Sequence, residues 1–216
     1  MFVGHYSAAF VAAAHPKAPK LGTLFVAAQL VDLGFFSFIL AGVENMRLTP
    51  GITVMNNMDL YDMPWTHSLL GAAGWAVAFG LIVSFWLRSR AAGAITGAVV
   101  LSHWLLDLLV HRPDLTLAGS PPKFGLGLWN YPAIEMPLEI ILLLGSAWFF
   151  ARAARPRTGR LELLLLVLLA FQAFNWFAPQ PTELDASQSI LGLVAYVLAA
   201  AIAWWVARGR SDVQAA

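Results

Sequence analysis

The 216-residue chain contains no cysteine and few charged residues. Without cysteine it forms no disulfide, no thiolate metal site and no cysteine nucleophile. Charged residues make up 12% of the sequence, against about 25% in ordinary soluble domains. The net charge of +1 produces no strong field that would attract an acidic partner. These shortages argue against a soluble enzyme, a nucleic-acid-binding protein and a disordered protein.

Hydrophobic residues replace the missing charge, at 59% of the chain and a mean hydropathy of +0.70. A membrane-spanning helix needs roughly 20 mostly apolar residues, and runs of this kind recur along the sequence. We predict an all-α integral membrane protein, a bundle of about six spans, in which residues 1–216 form one polytopic domain. Pro64 suits the first turn of the second span. The predicted spans cover about 21–42, 64–87, 91–111, 133–151, 163–178 and 187–207.

The first segment, residues 1–14, is apolar but too short to cross a membrane, and His15-Pro16-Lys17 ends it. It predicts either a helix at the membrane interface or a short re-entrant helix that enters the bundle halfway. Only the second arrangement carries His5 to the middle of the membrane. We adopt that arrangement and predict that His5 is a metal ligand.

The basic residues are distributed unevenly between the two sides of the predicted spans. Arg47, Arg112 and Lys123 lie on one side. Because connections rich in Lys and Arg stay in the cytoplasm, the opposite side and both termini are predicted to be cytoplasmic. Ten of the 13 basic residues lie on that side: Lys17, Lys20, Arg88, Arg90, Arg152, Arg155, Arg157, Arg160, Arg208 and Arg210.

Ionisable residues inside the predicted spans are costly and usually functional. His103, Asp107 and His111 are four residues apart, so they share one face of the third span. Counting about 1.5 Å per residue from the basic residues gives the depth of each group in the membrane. Asp107 falls one turn beyond the midplane, and His67 and His111 approach the outer surface. The midplane layer contains His5, Asp32, His103 and Glu139.

Histidines and carboxylates in one layer can bind a divalent ion such as Zn²⁺ or Mn²⁺. A catalytic zinc ion takes about three protein ligands and leaves a position for water, which a spare carboxylate can deprotonate. The same groups could instead form a proton or ion relay, or act as interhelical hydrogen bonds. We prefer the metal site, with zinc as the first choice and manganese as the alternative.

These residues resemble the YdjM-like family of bacterial inner-membrane proteins, which are described as membrane-bound metal-dependent hydrolases. The chain departs from the family at Tyr61-Asp62-Met63-Pro64-Trp65, because the family usually has a His-Arg pair there. Arg112, elsewhere in the sequence, is the candidate replacement for that arginine. The resemblance implies that His5, Asp32, His67, His103 and Asp107 belong to one site. It covers about residues 1–112, through Gly4-His5, Asp32, Thr66-His67-Ser68-Leu69-Leu70 and His103-xxx-Asp107. A subgroup signature extends it to about residue 150, through Ser102-His103-Trp104, His111-Arg112-Pro113-Asp114-Leu115, Gly127-Leu128-Trp129-Asn130 and Glu139.

The leading hypothesis is an inner-membrane, metal-dependent hydrolase that acts on a lipid or lipid-linked ester or phosphoester. His5, His103 and Asp107 would bind the ion, completed by Asp32 or His67. Glu139 and Asp32 are the candidate catalytic carboxylates. The alternative is a small transporter or ion-pathway protein that uses the same polar groups. Residues expected around the ligands or at the entrance are His111, Arg112, Asp114 and Asn130.

Overall fold

The computed structural model describes residues 1–156 and 158–207, and helices dominate them. A 3₁₀ turn at Val3–His5 leads directly into the first α-helix. The helices are α1 (Tyr6–Ala13), α2 (Leu21–Ala28), α3 (Leu30–Ala41), α4 (Leu69–Trp86), α5 (Arg90–Val110), α6 (Pro132–Ala154), α7 (Thr158–Phe177) and α8 (Ala186–Ala207). Antiparallel hairpins in the connections pair β1 (Asn45–Leu48) with β2 (Met58–Asp62), and β3 (Leu115–Thr116) with β4 (Lys123–Phe124). The prediction of an all-α protein missed these strands because they are too short to show an alternating pattern.

Within the described residues, the five helices α4 to α8 are each long and apolar enough to cross a membrane. The pair α2 and α3 meets the same criteria together and provides a sixth span if the two helices are counted as one. The fold is therefore a helical bundle of the size and composition expected of a multi-pass membrane protein. The cytoplasmic position of the termini stays a prediction. Arg157, Arg208 and Arg210, which contributed to it, lie outside the described residues.

The first predicted span is bent rather than straight. The axes of α2 and α3 differ by 52°, and Gln29 lies between them with φ −110° and ψ 11°. The side-chain amide of Gln29 donates to the carbonyl oxygen of Phe2 at 3.0 Å. The bend is thus joined to the N-terminal segment. Its position also frees the last carbonyl groups of α2 for contacts outside the helix.

The second predicted span begins later than expected. Ser68 is the N-cap of α4, and its hydroxyl oxygen accepts from the backbone N–H of Gly71 at 2.9 Å. Pro64 lies in the preceding loop, so its predicted place in a first helical turn is wrong. Serine satisfies the free N–H groups at a helix start better than the preceding residues do, which explains the later boundary. The helix α7 begins five residues before its predicted start, and the other span boundaries agree within three residues.

Small residues bring α4 and α5 into close contact. A Cβ atom on Gly80 would lie 2.9 Å from the carbonyl oxygen of Gly93. A Cβ atom on Gly97 would lie equally close, 2.9 Å, to the carbonyl oxygen of Ala76. Glycine at these positions lets the two backbones approach directly. This contact holds α5, the helix that carries His103 and Asp107, against α4.

The N-terminal segment lies inside the bundle. Val3, Tyr6 and Phe10 are fully buried, and α1 packs against α2, α5 and α6. The backbone N–H groups of Phe2 and Gly4 both donate to Oε1 of Glu139, at 2.6 and 2.9 Å. This burial agrees with the re-entrant arrangement and not with a helix that lies on the surface.

Candidate metal centre

Two histidines, His103 and His111, have their Nδ1 atoms fixed directly by oxygen acceptors. Nδ1 of His103 lies 2.8 Å from the carbonyl oxygen of Ala28, the last residue of α2. Nδ1 of His111 lies 2.8 Å from Oδ1 of Asp114. Because a carbonyl or carboxylate oxygen can only accept, each Nδ1 carries the hydrogen. In the neutral imidazole, each Nε2 then presents a lone pair.

His67 reaches the same state through a longer chain of hydrogen bonds. Its Nδ1 lies 2.9 Å from Oγ1 of Thr66, and the Thr66 hydroxyl donates to Oε2 of Glu44 at 2.6 Å. Since that hydroxyl hydrogen is used on Glu44, Oγ1 accepts from His67. Glu44 also accepts the backbone N–H groups of Trp65 and Thr66 through Oε1. A carboxylate that fixes a histidine in this way is typical of metal sites.

The Nε2 atoms of these histidines meet two aspartates. His103 lies 3.0 Å from Oδ2 of Asp107 and 3.4 Å from Oδ1 of Asp32. His67 lies 3.3 Å from the same Asp32 oxygen and 3.7 Å from Oδ2 of Asp107. His111 lies 3.5 Å from Oδ1 of Asp107. The cluster therefore combines residues from α3, α5 and the loop before α4.

His5 enters the cluster from the N-terminal segment. Its Nε2 lies 3.1 Å from Oδ1 of Asp107, and its ring stacks on that of His103 at 3.7 Å with 5° between the planes. The amine of Met1 lies 3.0 Å from the same Asp107 oxygen. The segment therefore contributes nitrogen atoms to the interior of the bundle.

Several atoms of the cluster are buried and make no hydrogen bond within the described chain. They are both ring nitrogens of His5, Nε2 of His103 and Oδ2 of Asp107. Nε2 of His5 and of His103 nevertheless lie 3.1 and 3.0 Å from carboxylate oxygens of Asp107, so these atoms are in contact with one another. Lone pairs of nitrogen and oxygen that face one another are suited to a cation.

Two sets of three residues place their ligand atoms within 4.8 Å of one another. They are His5, His103 and Asp107, and Asp32, His67 and His103. Zinc bonds of 2.0–2.1 Å in a tetrahedron separate neighbouring ligands by about 3.4 Å. The observed separations between nitrogen and oxygen atoms are close to that value. Buried histidine and aspartate groups are thus within metal-binding distance.

No family model, curated protein or solved structure matches the chain. The geometry of the cluster therefore carries the functional argument.

Glu139, predicted as a catalytic carboxylate, has its hydrogen bonds elsewhere. Besides the backbone of Phe2 and Gly4, it accepts from Nε2 of Gln172 at 2.9 Å through Oε2. The structure thus places it against the N-terminal segment and α7, not against a histidine. The depth count predicted a shared layer with His5, and Glu139 does meet the neighbouring Gly4, but a count of depth does not give the direction of a side chain.

The residues predicted around the ligands fall into two groups. His111 and Asp114 join the cluster, and Arg112 connects it to the outer hairpin through an ion pair with Asp59. Asn130 is exposed in a 3₁₀ turn at Leu128–Asn130, away from the hydrogen bonds described above. The first group extends the cluster toward the hairpin of β1 and β2.

Some participants were not predicted from the sequence. Glu44 lies in a loop with no periodic relation to Thr66, and only its position beside an apolar run distinguishes it. Tyr196 of α8 donates to Oδ2 of Asp32 at 3.0 Å. Buried Glu135 lies one turn before Glu139 on α6, and this spacing of four residues was visible in the sequence.

Proposed function

We propose that the protein is an inner-membrane, metal-dependent hydrolase that acts on a lipid or lipid-linked ester or phosphoester. One observation carries this proposal: three histidines with acceptors on Nδ1 direct their Nε2 atoms toward two buried aspartates. Nε2 of His103 lies within reach of carboxylate oxygens of both Asp107 and Asp32, at 3.0 and 3.4 Å, as ligands of one ion would. The sequence resemblance to the YdjM-like family supports the same class.

Either His5, His103 and Asp107, or Asp32, His67 and His103, would hold the ion. A bound zinc or manganese ion supplies a Lewis acid that polarises the ester and lowers the pKa of water. Asp32 is the most accessible member, with 14% of its side chain exposed against 4% or less for the others. Where His5, His103 and Asp107 hold the ion, Asp32 is therefore the carboxylate that would accept a proton from an attacking water. The Tyr196 hydroxyl orients it through Oδ2.

The surroundings of the cluster support a lipid substrate. Asp107 and His103 are carried by α5, which is long and apolar enough to cross a membrane, and Asp32 by α3, which meets the same criteria together with α2. The faces of the neighbouring helices carry exposed apolar side chains such as Leu105 and Ile141. A substrate with an apolar part dissolves beside these faces, whereas a purely polar substrate has to enter between the outer loops.

An ion or proton pathway is the second candidate function, and buried Glu135 is the observation that favours it. Its Oε2 makes no hydrogen bond within the described chain, and Glu139 follows one turn later. Adjacent buried carboxylates are common in proton relays. Flux of protons or metal ions into liposomes that contain the protein would support this function.

Metal content and hydrolysis test the leading proposal together. The full chain, purified in detergent without chelator from cells supplied with zinc and manganese, should contain at least one equivalent of metal. His103→Ala and Asp107→Ala should each reduce that content to below about one-tenth. His15→Ala is the matched control, because His15 is an exposed histidine outside the cluster.

Hydrolysis is then assayed on phospholipid vesicles of defined composition, with and without a chelator. Cleavage that requires metal and disappears in His103→Ala but not in His15→Ala is the expected result. Folded protein without metal would overturn the proposal. Metal-bound protein that transports ions and cleaves no lipid would favour the pathway function.

A further inference from the structure

An open groove lies on the surface of the bundle, where α1 meets α5 and α6. Its volume is about 770 Å³, within the range of about 300–1,000 Å³ that is usual for small-molecule sites. Small residues such as Ala8, Ala98 and Gly145 line it. Val11 and Ile141 also line it and are 51% and 67% exposed, so the groove faces outward.

The groove runs along α1 and α6, away from the metal centre. Gly4 bonds Glu139, and Phe10 packs against Phe150 with ring centres 5.7 Å apart, so the two helices run in the same direction. The groove follows α1 over residues 7–15. At about 1.5 Å per residue this stretch is about 12 Å long. One leaflet of a bilayer has a hydrocarbon layer of about 15 Å, half of the full core, so the groove matches a single leaflet in length.

The walls of the groove are suited to hydrocarbon. Both α5 and α6 are long and apolar enough to cross a membrane, so a groove on their outer surface opens to the bilayer. Val99, Leu142 and Phe149 contribute apolar surface to it. The hydroxyl of Ser146, a polar group in the wall, donates to the Leu143 carbonyl of its own helix at 3.0 Å. An acyl chain is therefore the occupant that these walls favour.

His15 lines the groove and gives it a polar end. Its Nδ1 accepts the backbone N–H of Lys17 at 3.1 Å, so in the neutral ring the hydrogen is on Nε2, which is then a donor. Lys17 and Lys20 are exposed just beyond it, and Arg152 is exposed where α6 approaches its end. Basic residues at a membrane surface attract anionic headgroups. The charge at this end therefore complements a phosphate group.

We propose that the groove binds one acyl chain of an anionic phospholipid, with the phosphate group at His15. The lipid covers α1 from the bilayer side. It is not the substrate of the proposed metal centre, because His5 and His103 are only 1% exposed and are thereby separated from the groove. The inference therefore stands independently of hydrolysis.

Native mass spectrometry of the full chain in detergent tests the proposal. Phosphatidylglycerol is the anionic probe, and phosphatidylcholine with the same acyl chains is the neutral one. One phosphatidylglycerol should bind about tenfold more tightly than phosphatidylcholine. Gly145→Phe should abolish this binding, because a Cβ atom there would meet no atom of the described residues within 4 Å and the ring can fill the groove. Gly74→Phe is the matched control, since Gly74 is equally open but lies on α4, outside the groove.

Two further variants sharpen the test. His15→Ala should weaken phosphatidylglycerol binding about fivefold and leave phosphatidylcholine binding unchanged. Ala98→Phe fills the groove from the α5 wall and replaces Gly145→Phe if that variant fails to fold. Equal binding of the two lipids, no bound lipid, or binding that persists in the filled groove would overturn the proposal. Metal content, measured on the same samples, reports separately on the proposed function.

Discussion

The part of the chain up to α5 and the C-terminal helices α7 and α8 use polar residues differently. The first part, together with His111 and Asp114 just after α5, supplies every histidine and aspartate of the cluster. The C-terminal pair donates hydrogen bonds to Asp32 of the cluster, through Tyr196, and to Glu139, through Gln172. The pair is joined by Arg160, whose guanidinium group lies 4.6 Å above the Trp205 ring. The comparison indicates that one region provides the candidate metal ligands and the other supports them through hydrogen bonds.

The largest effect is expected where the two regions meet, at Glu139. Glu139→Leu removes the acceptor of two backbone N–H groups and of the Gln172 amide. Each unsatisfied buried donor costs about 1–3 kcal/mol, so unfolding should require at least about 3 kcal/mol less free energy. Thermal unfolding in detergent measures this loss. Glu162→Leu, on the exposed face of α7, is the matched control.

The same substitution should release the N-terminal segment. A cysteine introduced by Ala9→Cys is buried in the parent protein and should not react with maleimide. In the Glu139→Leu background it should become reactive. An unreactive cysteine together with unchanged stability would show that Glu139 does not hold the segment.

A smaller effect, confined to the first region, is expected at Thr66. Thr66→Val keeps the shape of the side chain but removes the acceptor of His67 Nδ1 and the donor to Glu44. Metal affinity should fall about 10–100-fold, which competition with a chelator of known affinity measures. Thr96→Val makes the same change at a buried position of α5 that bonds the Ala92 carbonyl, and should leave affinity unchanged. Equal effects in both variants would contradict the role of the Thr66 chain.

The smallest effect is expected in the second region, at Tyr196. Tyr196→Phe removes one hydrogen bond to Asp32, so stability should fall by about 1 kcal/mol. Metal affinity should change less than it does in Thr66→Val. Tyr131→Phe, at an exposed position, is the control. A loss of metal as large as that in His103→Ala would mean that α8 belongs to the chemistry as well.

Periodicity predicted the core of the site because helix geometry brings residues four apart onto one face. His103 and Asp107 lie on one face of α5 for this reason, and the apolar runs located the spans. The depth count separated His67 from Asp32, because it assumed that the helix extended to Pro64, whereas the two side chains are 3.3 Å apart. The helix α4 instead begins after its N-cap Ser68, and the loop before it turns His67 toward Asp32.

Other features depend on contacts between segments that are distant in sequence. The bend at Gln29 directs the Ala28 carbonyl to His103, and nothing within the run 21–42 reveals that partner. Glu44 meets Thr66 because the connection between α3 and α4 folds back on itself. Hairpins and loops of this kind have no helical period, so the sequence pattern does not position them.

The location of His5 has a consequence for the order of assembly during translation. The helix α1 has eight residues, too few to cross a bilayer unaided, and it packs against α2, α5 and α6. The ribosome makes α1 before all three of these helices, yet its polar contacts need Asp107 and Glu139. The earliest-made part of this interior therefore gains its polar partners only after α5 and α6 have been made. Until α6 has been synthesised, α1 in the nascent chain cannot occupy its final position.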